Sequence, residues 1–315
     1  MSRIAAVFPG QGSQSVGMLS ALAEQWPEVE QTFQEASAAL GYDLHAIVRD
    51  NPDDRLNRTE YTQPAMLAAD VAVARVWSAA GGPAPARVAG HSLGEYAALV
   101  QAGSIGFADA IRLVAERARL MQNAIPAGEG GMAALLGLED DRVAEICEHL
   151  QTERIVEPVN FNAPGQVVIA GHADAVAQAI EAAREAGAKR AVELPVSVPS
   201  HSSLMKDAAA RLGQYMATIE FAAPAMPVVH NVDAAEHVDV DGIREALRRQ
   251  LYNPVRWTGS VQALRDAGAE VFIELGPGKV LTGLARRIDR SMTAFAVEDS
   301  ASLEKALEYC RENGA

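Results

Sequence analysis

The sequence places a serine in a pattern that is typical of enzyme nucleophiles. Residues 90–94 read Gly-His-Ser-Leu-Gly, which fits the G-x-S-x-G pattern, between a predicted strand and a predicted helix. Such a turn presents the serine at the end of the strand and leaves the next amide at a helix N-terminus. We therefore predict that Ser92 is a nucleophile and that the Leu93 amide donates to an oxyanion. A glycine-rich structural turn is the alternative.

A nucleophilic serine needs a base, and His201 is the strongest candidate among the seven histidines. The pattern predicts that His201 begins a helix and shares its apolar face with Met205 and Leu212. A helix N-terminus disfavours an imidazolium and would keep this base neutral at pH 7. A buried structural histidine is an equal alternative. His230, at the end of a short apolar strand, stays open as a second base, whereas His91 should point away from the serine.

Arg117 carries a charge on the predicted buried face of a helix. In the helix predicted at about 107–123, its neighbours one turn away are apolar, whereas Arg112 and Arg119 each have Glu116 at helical spacing. A buried guanidinium without a partner is too costly, so Arg117 needs an acceptor from elsewhere. That acceptor is either a distant carboxylate of the protein or a substrate carboxylate, which arginine binds with two parallel hydrogen bonds.

Two glutamines also stand out by position. Gln11 lies in a loop between glycines after the first predicted strand, where its backbone amide could face a ligand or belong to an ordinary turn. Gln250 falls on the apolar stripe of a predicted helix, so its amide must bond to something buried. A bound ligand and a structural carbonyl satisfy that requirement equally well.

The elements that must position these residues alternate between strand-like and helix-like patterns, which is typical of an α/β fold. The segment 126–197 has the order strand-helix-strand-strand-helix-strand, which indicates a ferredoxin-like unit. We therefore predict a large α/β domain with a parallel sheet, formed by 1–125 and 198–315. The small ferredoxin-like domain, 126–197, is inserted into it.

The composition excludes several classes of protein. The 315 residues are 49% hydrophobic and 22% charged, which are ordinary globular values. Asp and Glu number 41 against 27 Lys and Arg, and a net charge of -14 argues against nucleic acid or an anionic membrane as a partner. Neither a membrane span nor a signal-peptide pattern is found, and the two cysteines indicate no thiolate metal site. We expect a cytoplasmic, metal-free protein.

Together, the motifs resemble those of the malonyl-CoA:acyl carrier protein transacylases of bacterial fatty acid synthesis. The resemblance covers essentially the whole chain. In chain order the shared motifs are Gly-Gln-Gly-Ser-Gln at 10–14, Gly-His-Ser-Leu-Gly-Glu at 90–95, Arg117, Asn-Ala-Pro-Gly-Gln at 162–166, Ser200-His201 and Gln250. Each motif is weak by itself, but all of them in order are specific. The stretch 198–201 differs from modular polyketide synthase acyltransferases, which favours a free-standing enzyme.

The resemblance implies a hydrolase-like large domain and a ping-pong acyl transfer. Ser92 would attack the malonyl thioester with His201 as general base and then general acid. The backbone amides of Gln11 and Leu93 would form the oxyanion hole, and Arg117 would pair with the free malonyl carboxylate.

Further residues and the partners follow from the same resemblance. Gln250 would help to order the site, Asn162 would contact substrate, and a backbone carbonyl would orient the histidine. The partners would be malonyl-CoA and the holo form of acyl carrier protein, with no cofactor beyond the coenzyme A thioester. The protein would act as a monomer.

The carrier protein of this family is strongly acidic, so a chain with a net charge of -14 should repel it unless basic residues gather near the site. Lys189 and Arg190 begin the last predicted strand of the insert, and Arg286 and Arg287 end a predicted helix of the large domain. We predict that these pairs flank the entrance and steer the carrier. Ordinary solvated surface is the alternative.

Two other functions stay open at this point. Lipases and esterases share the G-x-S-x-G pattern, but their catalytic histidine lies close to the C-terminus. Their reaction would also give Arg117 no function. Steady thioester hydrolysis without a carrier would favour them. A non-catalytic module for acyl-CoA or carrier protein would bind tightly but form no covalent adduct on Ser92.

Overall fold

The computed structural model describes residues 3–151 and 153–314. Five strands form a parallel sheet in the larger part of the chain. Across this sheet they are β7 (Val228–Val229), β2 (Arg87–Gly90), β1 (Ile4–Phe8), β8 (Val271–Leu275) and β9 (Thr293–Val297). The central strand β1 and its neighbour β8 are buried along their whole length, as expected for a parallel sheet that is covered on both faces.

The helices of the described residues are, in chain order, α1 (Ser20–Ala23), α2 (Pro27–Leu40), α3 (Leu44–Asp50), α4 (Thr59–Ala79), α5 (Gly94–Gln101), α6 (Phe107–Gln122), α7 (Asp140–Leu150), α8 (Ala173–Glu185), α9 (Lys206–Met216), α10 (Val240–Gln250), α11 (Trp257–Asp266), α12 (Val280–Ile288) and α13 (Ser300–Asn313). Short 3-10 turns add Pro52–Asn57 and Ser203–Met205. Alternate residues of β1 pack into two separate apolar clusters, one shared with α4 and α6 and the other with α11 and α12. Helices therefore cover both faces of the parallel sheet.

A second sheet is antiparallel and contains β4 (Val156–Ala163), β5 (Gln166–His172), β3 (Gly130–Leu136) and β6 (Arg190–Glu193), in that spatial order. The chain runs β3-α7-β4-β5-α8-β6 through it, which is the ferredoxin-like order. The helices α7 and α8 pack on one face of this sheet. The predicted α/β fold class is confirmed, whereas the domain boundaries at 126 and 197 stay a prediction.

The predicted elements differ from the observed ones mainly at their ends. The helix predicted at 107–123 is α6, and the strand before residue 90 is β2. No helix within the described residues is both long and apolar enough to cross a membrane.

Candidate active site

The G-x-S-x-G segment forms a sharp turn from β2 into α5, and Ser92 lies at its tip. The φ angle of Ser92 is 52°, in the left-handed region that non-glycine residues rarely adopt and that often marks functional sites. Both flanking glycines are required by close packing. A Cβ on Gly90 would lie 1.9 Å from the backbone of Gly94, and a Cβ on Gly94 would lie 2.1 Å from the carbonyl oxygen of Phe8.

His201 contacts Ser92 directly. Its Nε2 lies 2.7 Å from Ser92 Oγ, and its Nδ1 lies 2.7 Å from the carbonyl oxygen of Gln250. Because a carbonyl only accepts, we assign the hydrogen to Nδ1, so that Nε2 accepts from the serine hydroxyl. Gln250 is the last residue of α10, where a helix leaves its carbonyls without an intrahelical partner. The arrangement prepares His201 to take the serine proton.

The predicted reason for the neutrality of His201 is wrong, because His201 does not begin a helix. It lies in a turn with a φ angle of 66°, and α9 begins only at Lys206, after the turn Ser203–Met205. Burial, reinforced by the positive charge of Arg117, lowers the pKa of His201 to about 3. The imidazole is therefore neutral near pH 7 because it is desolvated.

Arg117 is buried on α6, as predicted, and the terminal nitrogens of its guanidinium group bond to neutral groups. Its Nη1 donates to Gln63 Oε1 at 2.7 Å, and its Nη2 lies 3.1 Å from Gln250 Oε1 and 3.3 Å from Ser92 Oγ. The guanidinium carbon lies 5.5 Å from the centre of the Tyr96 ring, whereas Nε is buried and finds no acceptor among the residues that the structure describes. Across the described chain, no carboxylate forms an ion pair with Arg117. Burial lowers the pKa of Arg117, so a bound anion would stabilise its charged form.

These groups open into a cavity of about 240 Å³ between the two sheets. Gln11 and Leu93 line it, and no hydrogen bond within the described residues occupies either backbone amide. Two free amides beside a nucleophile can stabilise a developing oxyanion. Asn162 lies on the same wall, where its Oδ1 is 2.7 Å from His91 Nε2. His91 thus points away from the serine hydroxyl, as predicted.

Comparisons with known proteins agree with this geometry. The model of the acyl transferase domain matches residues 6–306. The malonyl CoA-acyl carrier protein transacylase of Salmonella typhimurium is 57% identical over 307 residues, which cover 98% of this chain and 99% of that protein. The protein of the same name from Bacillus subtilis is 42% identical over 313 residues, covering 99% and 98% of the two chains. The chain belongs to the malonyl CoA-acyl carrier protein transacylase family.

Solved structures show the same fold. An acyl carrier protein S-malonyltransferase from Vibrio cholerae superposes with a TM-score of 0.94 at 56% identity, covering 96% of this chain and 99% of that one. A malonyl-transacylase in complex with its type II PKS acyl-carrier protein gives a TM-score of 0.96 at 55% identity, covering 98% and 100%. The family resemblance read from the sequence is confirmed, and this transacylase is an acyltransferase.

Sequence reasoning missed Gln63 and Asn231. Gln63 lies among apolar residues of α4, a position that could have singled it out as it did Gln250. Asn231 follows β7 and accepts from the Ser92 amide at 2.6 Å, while it donates to the Gly90 carbonyl at 2.7 Å. Since β7 and β2 are parallel neighbours, their carboxyl ends meet, which is where α/β sheets place their sites.

His230, the second candidate base, does not contact Ser92. Its Nδ1 lies 2.7 Å from Glu95 Oε1, and both side chains are fully buried. His201 is therefore the histidine that the geometry supports as the base of this transacylase. Among residues 3–151 and 153–314, no group of three or more His, Cys, Asp or Glu side chains is placed to hold a metal ion.

The four basic residues predicted at the entrance lie in different settings. Arg287 Nη1 donates to Gln166 Oε1 at 2.8 Å, and Gln166 lines the cavity. Leu136 on β3 pairs with both Gln166 on β5 and Arg190 on β6, so these three side chains share the cavity face of the sheet. Arg190 is exposed at the end of that row.

In the described part of the chain, the side chains of the other two predicted entrance residues form no hydrogen bond with a residue that lines the cavity. Arg286 Nη2 donates to the Ala294 carbonyl at 3.0 Å, on the β9 side of α12. The aliphatic stem of Lys189 packs over Gly137, where an added Cβ would lie 2.7 Å from Lys189 Cγ. Of the four, Arg287 thus contacts a residue that lines the cavity, and Arg190 lies on the same face of the sheet, two strands from Gln166.

Proposed function

We propose that the protein transfers the malonyl group of malonyl-CoA to the phosphopantetheine thiol of acyl carrier protein through a malonyl-serine intermediate, and so supplies fatty acid synthesis. The observation that carries this proposal is the position of Arg117. A buried guanidinium with only neutral partners lies 3.3 Å from a serine that is hydrogen-bonded to a histidine. Glu95 is linked to Arg117 through Gln250 rather than directly. A bound malonyl carboxylate would supply a directly paired counter-charge beside the reacting ester. A monomeric state and a cytoplasmic location complete the proposal.

In the first half-reaction, Ser92 Oγ attacks the thioester carbonyl while its proton passes to His201 Nε2. The Gln250 carbonyl holds the resulting imidazolium through Nδ1–H. The amides of Gln11 and Leu93 stabilise the oxyanion of the tetrahedral intermediate. As the carbon–sulfur bond breaks, His201 returns the proton to the coenzyme A thiolate, so that free coenzyme A and malonyl-Ser92 remain.

In the second half-reaction, the carrier's phosphopantetheine thiol enters the same cavity. His201 takes the thiol proton, the sulfur attacks the serine ester, and His201 returns the proton to Ser92 Oγ. Every step is a proton transfer through His201 or an attack by Ser92 or by the carrier's own thiol. We therefore propose that the reaction needs no cofactor beyond its thioester substrate.

Replacing Arg117 by alanine tests the substrate proposal. A charge-assisted hydrogen bond contributes about 1.5–3 kcal/mol, and a bidentate pair contributes more once water is excluded. Malonyl transfer should therefore slow by about ten- to several-hundred-fold. Acetyl-CoA has no carboxylate to leave unpaired, so its transfer should be unchanged or faster. We expect the ratio of the two kcat/KM values to invert in favour of acetyl.

Arg119→Ala is the matched control, because Arg119 lies on the same helix but is exposed and paired with Glu116. It should leave both substrates unchanged. If Arg117 were only a structural cation, Arg117→Ala would lower the melting temperature and slow malonyl and acetyl transfer alike. That parallel loss in a folded variant would contradict the carboxylate-binding role.

Arg190 and Arg287 provide a test of carrier docking. Arg190→Glu combined with Arg287→Glu should raise the KM for holo carrier by about ten-fold or more, because steering of an acidic partner is lost. The salt dependence of that KM should flatten, while loading from malonyl-CoA stays nearly unchanged. Lys189→Glu and Arg286→Glu should have smaller effects, since the Lys189 stem packs over Gly137 and the Arg286 guanidinium bonds to the Ala294 carbonyl. Equal effects on both half-reactions would contradict this docking surface.

A further inference from the structure

Glu95 is a buried carboxylate that none of the chemical steps above uses. It lies in the first turn of α5, three residues after the nucleophile, and it is fully buried. Its Oε1 contacts His230 Nδ1 at 2.7 Å. Its Oε2 accepts from the backbone amide of Asn231 and from the side-chain amide of Gln250, both at 2.9 Å. Glu95 thus connects its own helix α5 to the end of α10 and to the segment that follows β7.

The contact between Glu95 and Asn231 connects the carboxylate to the nucleophile. Glu95 fixes the backbone of Asn231, and the Asn231 side chain accepts from the Ser92 amide and donates to the Gly90 carbonyl. The Asn231 side chain is thus bonded at two positions of the turn that keeps Ser92 in its left-handed conformation. A loss of the Glu95 contact would therefore loosen the support of the elbow.

The contact between Glu95 and Gln250 connects the carboxylate to His201 and to Arg117. Gln250 Nε2 donates to both Glu95 Oε2 and the Ser92 carbonyl, while its Oε1 accepts from Arg117. The main-chain carbonyl of the same residue orients His201. The position of Gln250 thus sets the geometry of three reacting or binding groups.

We propose that Glu95 is the positioning residue of this active site, acting through Gln250 and Asn231 on the serine, the histidine and the arginine together. It touches none of the reacting atoms. The role rests on the proposed function, because its effect is measured on the acylation of Ser92.

The contacts also predict which substitutions preserve the role. A glutamine at residue 95 can keep an oxygen toward Asn231 and Gln250 and turn its amide nitrogen toward His230 Nδ1. That arrangement needs the other tautomer of His230. No group within the described residues bonds to His230 Nε2, so moving the hydrogen there breaks no existing contact at that atom. Methionine has a similar length but no acceptor of comparable strength, and aspartate is too short to reach all three partners.

The test measures the single-turnover rate constant for acylation of Ser92 by malonyl-CoA, using rapid quenching and intact-mass spectrometry. We expect Glu95→Met to lower this rate constant by about 100-fold, the effect of a small misplacement of reacting groups. Glu95→Gln should stay within about three-fold of the wild type. If Glu95→Met does not fold, Glu95→Asp replaces it, with the same expected loss despite its retained charge.

A rate constant separates positioning from stability, because partial unfolding lowers the amplitude of the reaction but not its rate. Asp70→Asn is the matched control, since Asp70 is another fully buried acidic side chain and no group within the described residues hydrogen-bonds to its oxygens. It should leave the rate constant unchanged. In a Gln250→Ala background, Glu95→Met should cost less than about ten-fold, because one of its two routes is already lost.

Two results would overturn the proposal for Glu95 alone. One is a wild-type rate constant in Glu95→Met with only a reduced amplitude, and the other is full additivity with Gln250→Ala. A wild-type protein that forms no acyl-serine would overturn the proposed function itself, and this role with it.

Discussion

Ser92→Ala is expected to reduce malonyl transfer by about 10⁵- to 10⁶-fold, as the loss of the nucleophile does in other serine enzymes. The reason is that the covalent route disappears, and the oxyanion amides can assist only direct attack by the carrier thiol. Alanine at this position keeps the backbone bond from the residue 92 amide to Asn231. The measurement is steady-state transfer from malonyl-CoA to holo carrier.

The control for Ser92→Ala is binding of coenzyme A together with an unchanged melting temperature, which show that the cavity is intact. Transfer above about one per cent of the wild-type rate would contradict a nucleophilic role, since that is far more than uncatalysed residual attack supplies.

His201→Ala is expected to slow transfer by about 10²- to 10⁴-fold, the range for loss of a positioned general base. His201 is the only group that accepts the Ser92 hydroxyl hydrogen in the described structure, at 2.7 Å. His230→Ala provides a comparison, because His230 contacts Glu95 rather than the serine. A smaller loss for His201→Ala than for His230→Ala would contradict the assignment of the base.

The pH profile gives an independent check on the same histidine. Its pKa is lowered to about 3, so the free enzyme holds His201 neutral at every pH well above that value. Because kcat/KM reports the free enzyme, it should show no acidic limb due to His201 between pH 5 and pH 8. Activity should fall only as the pH approaches 3 and the imidazole becomes protonated. An acidic limb near the ordinary histidine value, about 6.5, would contradict the burial argument.

Features that depend on local sequence could be predicted well. The elbow at Ser92 follows from two glycines and a change of hydrophobic period, and both are visible in a short segment. The burial of Arg117 follows from helical periodicity alone, since α6 has the predicted position. Gln250 was singled out for the same reason, and its amide does bond to a structural carbonyl, that of Ser92.

Features that depend on long-range contacts could not be predicted from patterns. The neutrality of His201 comes from burial within a turn, whereas periodicity extended α9 too far toward the N-terminus. The partners of Arg117 are amides from two other helices, which no spacing along α6 reveals. The direction in which the Arg190 side chain points depends on strand register, and that of Arg286 depends on the orientation of α12. Neither can be deduced from a pair of adjacent basic residues in the sequence.

The intact mass of the wild-type protein after mixing with malonyl-CoA alone shows directly whether Ser92 carries the acyl group. We expect one malonyl ester per chain, located on Ser92 by fragmentation and absent from Ser92→Ala. Holo acyl carrier protein added afterwards should remove the ester and gain the malonyl group, while water alone removes it much more slowly. Transfer to the carrier without any acyl-enzyme, or an ester on another residue, would contradict the account.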